Sequence, residues 1–207
     1  MYARLKNDDR RRGGKRRGIM QYTQRRLNHG YTNRILSIDL GSGKIRIPDI
    51  DPGIREYFIG GRALGLYLLH QAIQPGTTAS DSGNPLIFAP GPLGGIPQFP
   101  GTSKCMAVSL SPLTGIPGVS NFGGHFGAYL KYAGFDALEV TGKSGRDVMI
   151  LIDGLRGEIS VADAPAIDNV FDLEREIVDR FVREGRDKKE IVFLTTGVGA
   201  SRTTFGC

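Results

Sequence analysis

Glycine and proline set the strongest limit on how this chain can fold. Thirty glycines and 11 prolines punctuate 207 residues. Between them the apolar residues come in short runs of four to six, with no long helical stretch except near the C-terminal third. Such punctuation favours short strands and short helices joined by tight turns over a helical bundle. No run approaches the ~18 consecutive apolar residues of a membrane span, so no membrane partner is expected.

The runs themselves alternate. Arg34 to Leu40, a Gly41-Ser42-Gly43 turn and Lys44 to Ile47 read as a β-hairpin. Asp51-Pro52 opens a short helix running to about Phe58, with Asp51 as N-cap and Pro52 at the first position. A second helix is expected from about Arg62 to Ile73. Strands are expected over residues 85–89 and 104–110, then a turn at Ser111 to Gly115. Asn121 to Gly127 reads as a glycine-rich loop entering a helix over 126–133, which Gly134 closes. Further strands are expected at 137–141, 147–152 and 158–161. Asp168 then caps a helix carrying Val170, Leu173, Ile177 and Phe181 at helical spacing, and residues 190–196 form a last strand. The sum is an α+β fold with about four helices.

Charge separates the first thirty residues from the rest. They hold ten basic residues against two acids, so the remainder carries a net −2 within the overall +6. With few large apolar groups, residues 1–30 are expected to be a disordered basic arm before a domain spanning 31–207. Met20 offers an internal start that would leave a neutral chain. Nucleic-acid binding would rest on the arm alone and is not expected of the domain. Two cysteines, Cys105 and Cys207, cannot build a disulfide framework or a four-thiolate cluster, and no apolar leader precedes them. A reducing, cytoplasmic setting is the expectation.

Two glycine patterns imitate nucleotide sites and fail. Gly60 to Gly65 has the outer spacing of a P-loop, but Leu66 and Tyr67 stand where Lys and Ser/Thr are needed. After Gly197-Val198-Gly199, Arg202 takes the third glycine position of a dinucleotide turn. His125 has no second ligand at metal spacing and reads as a loop histidine. Ser120-Asn121-Phe122-Gly123-Gly124-His125-Phe126-Gly127 is more informative, because glycines before a helix let a ligand approach the backbone and its amides attract anions. Alone, that composition fits an ordinary tight loop at least as well. Strand alternation puts Lys104 and Cys105 on opposite faces. The residues by themselves indicate an anion- or cofactor-binding domain with no catalytic triad or carboxylate pair.

Taken in order, the segments resemble the N-terminal domain of the aldehyde:ferredoxin oxidoreductase family, the tungsten- or molybdenum-pterin enzymes. The resemblance is carried by Arg34-Ile-Leu-Ser-Ile-Asp-Leu, Gly60-Gly61-Arg62-Ala-Leu-Gly-Leu-Tyr, Asn84-Pro-Leu-Ile-Phe-Ala and Ser111-Pro-Leu-Thr-Gly115. Ser120 to Gly127, Leu130-Lys-Tyr-Ala-Gly-Phe-Asp-Ala137 and Glu139-Val-Thr-Gly-Lys143 continue it, so that it covers about residues 31–200. It implies two β-sheets with flanking helices, forming a base for a tungstopterin or molybdopterin (bis-pterin). It also implies that the backbone carbonyl of Asn121 helps hold a magnesium ion bridging the pterin phosphates. Gly123 would contact the pterin, with Gly124 and Arg62 beside it. Lys104 falls where the family usually has an arginine, which keeps the charge but loses the bidentate fork. The resemblance implies no catalytic residue here. It places the family's second magnesium contact, the 4Fe-4S cysteines and two further domains outside these 207 residues, with Cys207 at a truncation point. The expected function is one part of an enzyme that oxidises an aldehyde to a carboxylic acid and passes electrons to ferredoxin. The alternative is an inactive remnant, or a separately encoded subunit that needs a partner chain.

Overall fold

The computed structural model describes residues 16–99 and 101–203. Nine strands and four α-helices follow in chain order. They are β1 (Arg16–Gln21), β2 (Ile35–Asp39), β3 (Lys44–Arg46), α1 (Ile54–Tyr57), α2 (Gly61–Ala72), β4 (Leu86–Pro90) and β5 (Cys105–Leu110). Then come β6 (Pro117–Phe122), α3 (Phe126–Tyr132), β7 (Ala137–Thr141), β8 (Val148–Asp153), β9 (Glu158–Asp163) and α4 (Val170–Arg183). The α+β class and the two sheets with flanking helices are those expected from the sequence.

Six strands form one sheet in the order β3-β2-β7-β4-β5-β6, and three form a second in the order β1-β9-β8. Only β2 and β7 run parallel; every other neighbouring pair is antiparallel. The pleat of the large sheet sorts its side chains into two cores. On one face Ile35, Ile87, Ala89, Val108, Leu110 and Ala137 meet Leu64, Leu68 and Leu69 of α2. On the other, Leu36, Ile38 and Leu138 meet Leu130 of α3, Phe135, and Ile159 and Val161 of the small sheet. The layers are therefore α2, the large sheet, then α3 with the small sheet. Gly65 brings α2 close: a Cβ there would lie 2.6 Å from Val108 Cγ2.

A buried ion pair closes the turn after α3. Gly134 takes φ +98°, and the chain reverses so that Asp136 meets Lys131 at 2.8 Å. The two side chains are 3% and 1% exposed. The Asp136 carboxylate also accepts the Thr32 amide at 3.0 Å and the Asn33 amide at 2.7 Å, which anchors the segment entering β2. Burial pushes the Lys131 ammonium below its ordinary pKa, and the carboxylate opposes that shift. Tyr31 lies under both Lys131 and Arg55, with 5.4 and 5.0 Å to its ring centroid.

Five expectations change. Helix α1 starts at Ile54 with Gly53 as its cap, so Pro52 stands before it and Asp51 Oδ1 accepts the Gly53 amide at 2.8 Å in the preceding turn. Residues 16–30 are not a disordered arm: residues 16–21 form β1, paired with β9 from Gly18↔Val161 to Gln21↔Glu158. The charge of the arm concealed a short apolar pair, Ile19-Met20, and the partner strand lies more than a hundred residues away. The rest of the expected arm, residues 1–15, lies outside the described residues. The α4 cap is Asn169, one residue after Asp168, and its Oδ1 accepts from the Phe171 and Asp172 amides at 2.9 and 3.3 Å. Residues 117–122, where no strand is expected from the sequence and Asn121 and Phe122 fall in a loop, form the edge strand β6, because β5 offers them a ladder of six paired positions. Residues 191–196 join no strand among the described residues, and Glu190 belongs to a 3-10 turn.

Candidate functional site

The residues singled out in the sequence converge on one end of the large sheet. There β4 ends, β5 begins and β6 ends, with Pro90 opposite Cys105 and Cys105 opposite Phe122. Lys104 precedes β5 and Gly123 follows β6, so both leave the sheet at this end. Asn121 is paired with Met106 and lies on the same face as Met106, the face that α2 covers. Helix α2 starts over this corner: a Cβ on Gly61 would stand 3.7 Å from Met106 Cγ, and one on Gly60 would stand 3.2 Å from the Pro90 carbonyl oxygen. Gly60 has φ +152° and Gly61 φ +54°, a backbone that only glycine takes easily. Arg62, the second residue of α2, is therefore set beside the same corner.

The corner is positive and open. Arg62, Lys104, Asn121, Gly123 and Gly124 are all exposed. No acidic side chain pairs with Arg62 or Lys104 among the described residues. The first turn of α2 has no side-chain cap and no acid, so its amides add positive potential. Cβ atoms at Gly123, Gly124 and Gly91 would meet nothing within 4 Å, leaving backbone that a ligand can approach closely. Gly124 has φ +84°, which disfavours any side chain there. Beneath the platform, Phe88, Phe122 and Phe126 pack edge-on and tilted with centroids 5.5–6.0 Å apart, fixing the β6–α3 junction.

Neighbouring groups have structural roles. Cys105 is fully buried under Gly127, and burial pushes its thiol up to about 12. His125 is the exposed residue before α3, edge-on to Tyr129 with centroids 6.4 Å apart. Among the described residues, no group of three or more His, Cys, Asp and Glu could hold a metal ion. The arrangement offers cations, amides and one Asn. That is a set of groups suited to binding an anion. Met106, Gly61 and Gly91 belong to this corner and were not singled out from the sequence. Gly60-Gly61 ahead of a helix was the signal available, but only β-sheet register shows what lies beside it.

Two cavities lie elsewhere. One of about 400 Å³, at the other end of β5, is lined by Thr77, Thr78, Ser80, Ser111 and Pro112. One of about 120 Å³ lies between Asp163-Ala164-Pro165 and α4. The candidate site is an open platform. No helix among the described residues is long and apolar enough to cross a membrane.

Comparison with known proteins gives a consistent picture. The family described as "Aldehyde ferredoxin oxidoreductase, N-terminal domain" matches residues 35–206. The tungsten-containing aldehyde ferredoxin oxidoreductase of Pyrococcus horikoshii is 35% identical over 158 residues, which cover 74% of this chain and 26% of that protein. The Pyrococcus furiosus enzyme of the same name is 37% identical over 124 residues, covering 60% of this chain and 20% of its own length. Among solved structures, the active site complex BamBC of benzoyl coenzyme A reductase, in complex with 1,5-dienoyl-CoA, superposes with a TM-score of 0.68. It shares 28% identity and covers 81% of this chain and 24% of that one. The chain thus spans about a quarter of the length of the relatives it matches. The order of the motifs, the two-sheet fold and the match over residues 35–206 place this chain in the aldehyde ferredoxin oxidoreductase family, as its N-terminal domain.

Proposed function

We propose that this domain forms one wall of a tungstopterin or molybdopterin site in an aldehyde ferredoxin oxidoreductase-like enzyme. The observation carrying the reading is the convergence of Arg62, Lys104, Asn121, Gly123 and Gly124 on one positive, glycine-lined corner. The corner fits a bis-pterin with its phosphates: the cations have no acidic partner among the described residues, and the glycine backbone is bare. Arg62 and Lys104 would neutralise phosphate charge, and the α2 amides would add to that field. Lys104 acts as a point charge and orients less strictly than a bidentate guanidinium. Gly123 and Gly124 would let the ring system lie against the backbone, and the Asn121 carbonyl would face the magnesium ion between phosphates. When bound, the metal centre supplies the two-electron oxidation of an aldehyde with water to a carboxylic acid. The 4Fe-4S cluster and the docking of ferredoxin would belong to polypeptide outside these residues, in a cytoplasmic enzyme.

A second reading is a separately encoded subunit, or an inactive remnant, that needs a partner chain. The domain's span of about a quarter of its relatives favours dependence on further polypeptide. The test is to purify the chain alone and the chain continued with the matching remainder of the Pyrococcus horikoshii enzyme, then measure tungsten, molybdenum, iron and pterin. Metallopterin is expected only in the continued chain, and to be lost in Gly123→Val and Lys104→Glu while both variants stay folded. Stoichiometric metallopterin in the isolated chain would refute the dependence. Unchanged pterin content in both variants would refute the site.

A further inference from the structure

Residues 191–196, Ile-Val-Phe-Leu-Thr-Thr, have the composition of a buried strand yet lack a ladder. Five of the six are β-branched or aromatic, and neither glycine nor proline interrupts them. The segment is flanked by extended backbone, Ile191 at φ −103° and ψ 125° and Gly197 at φ −81° and ψ 173°. The segment is held at both ends. Tyr129 Oη donates to the Lys189 carbonyl at 2.6 Å, a 3-10 turn capped by Asp187 leads into Ile191, and Gly197 lies against Val170 of α4. Between those anchors, the amides of residues 192–196 make no hydrogen bond to any described residue. Residues 191–193 are half-buried, while Leu194 is 41% exposed. A mostly apolar hexapeptide held at both ends and unpaired among the described residues is a template for another strand.

We propose that residues 191–196 are one half of a strand pair, completed by a β-strand from the oxidoreductase polypeptide that the relatives carry beyond the matched region. The occupant follows from two observations. The family match runs through this segment to residue 206, so the segment belongs to the domain and is not an appendage. About three quarters of the Pyrococcus horikoshii relative lies outside the match, so a strand is available there. The proposal rests on the reading that this domain works with the rest of such an enzyme, whether continuous with it or as a subunit. It adds a docking element on the α4 side of the fold, formed by elements other than those of the cofactor corner.

The test is amide hydrogen exchange on the 207-residue chain and on the chain continued with the Pyrococcus horikoshii remainder. In the chain alone, residues 192–196 exchange at nearly the unfolded rate. In the continued chain they slow at least ~100-fold, as ladder amides do. A proline at position 194 removes an amide donor. Leu194→Pro leaves the melting temperature of the chain alone unchanged, but removes the added protection in the continued chain. Protection in the chain alone, or a marked loss of its melting temperature in Leu194→Pro, overturns the proposal, because the amides are then used internally. Protection that rises with concentration alongside dimer formation assigns the strand to a second copy and also overturns it. Metallopterin loading with residues 192–196 still unprotected refutes the strand pair and leaves the cofactor reading intact. Protection without loading does the reverse.

Discussion

Replacing Lys131 with Met tests the account of the buried turn after α3. The Lys131–Asp136 pair is 2.8 Å long with both side chains at most 3% exposed. At an effective dielectric of about 20, that separation gives a gross attraction of about 6 kcal/mol. Desolvation costs several kcal/mol per ion, so the intact pair contributes little net stability. Removing only the cation is different. Asp136 then keeps the Thr32 and Asn33 amides but has no opposite charge, which costs about 3–5 kcal/mol. Lys131→Met should therefore lower the urea midpoint sharply at unchanged m-value, followed by circular dichroism. Asp136→Asn leaves the ammonium buried without its carboxylate, and burial already depresses the Lys131 pKa. The folded variant then binds fewer protons than the unfolded chain, so its stability should rise as the pH is raised towards the unfolded lysine value of about 10.4. The double variant Lys131→Met/Asp136→Asn should cost less than the sum of the two by about 1–3 kcal/mol. A cost below about 1 kcal/mol for Lys131→Met, or strict additivity in the double variant, would refute the reasoning.

Other outcomes follow from the packing. Gly65→Ala would put a Cβ 2.6 Å from Val108 Cγ2, an overpacking cost of about 1–3 kcal/mol against a helix-propensity gain of about 1 kcal/mol. The net loss should disappear in Gly65→Ala/Val108→Ala, measured by thermal unfolding. Cys105, fully buried with its thiol pushed up to about 12, should resist iodoacetamide at pH 8 until the chain is unfolded. Tyr22, whose hydroxyl donates to the Ala133 carbonyl at 2.8 Å, is also raised to about 12, by burial first and the nearby Asp153 carboxylate second. Both groups lose their protons first in the unfolded chain. Stability should therefore hold below about pH 9 and fall between 9 and 12, as equilibrium unfolding would show. Asn169→Ala removes the acceptor for two α4 amides and should cost about 1 kcal/mol, whereas Asp168→Ala should cost much less.

The elements legible in the sequence were those whose signal is local. The β2–β3 hairpin carries its own glycine turn, α2 its two-glycine start, and α3 its Gly134 stop at φ +98°. β1 was hidden because β9, the strand it pairs with, is remote in sequence. β6 was hidden because Pro117, Gly118 and Asn121 have poor strand propensity, which the β5 ladder overrides. Residues 191–196 failed in the opposite sense: strong strand propensity finds no ladder among the described residues. The candidate site shows the same division. Asn121, Gly123 and Lys104 were noticed for their chemistry, but nothing local says that Cys105 stands opposite Phe122 and brings them to one corner.

The sequence by itself determined the family, the α+β class and the turns, because glycine positions and motif order are read along the chain. It also determined that two cysteines and three histidines are present, too few for a disulfide framework or a four-thiolate cluster. Only the tertiary structure decided that six strands form one sheet, with α2 on one face and the small sheet on the other. It alone set Arg62, Lys104 and the glycine backbone together and left them open, because register across a sheet joins residues that no local pattern connects. The structure likewise decided that part of the basic N-terminal region is a strand and that residues 191–196 stand unpaired among the described residues. Both depend on which backbone amides find a partner, a property of the assembled fold.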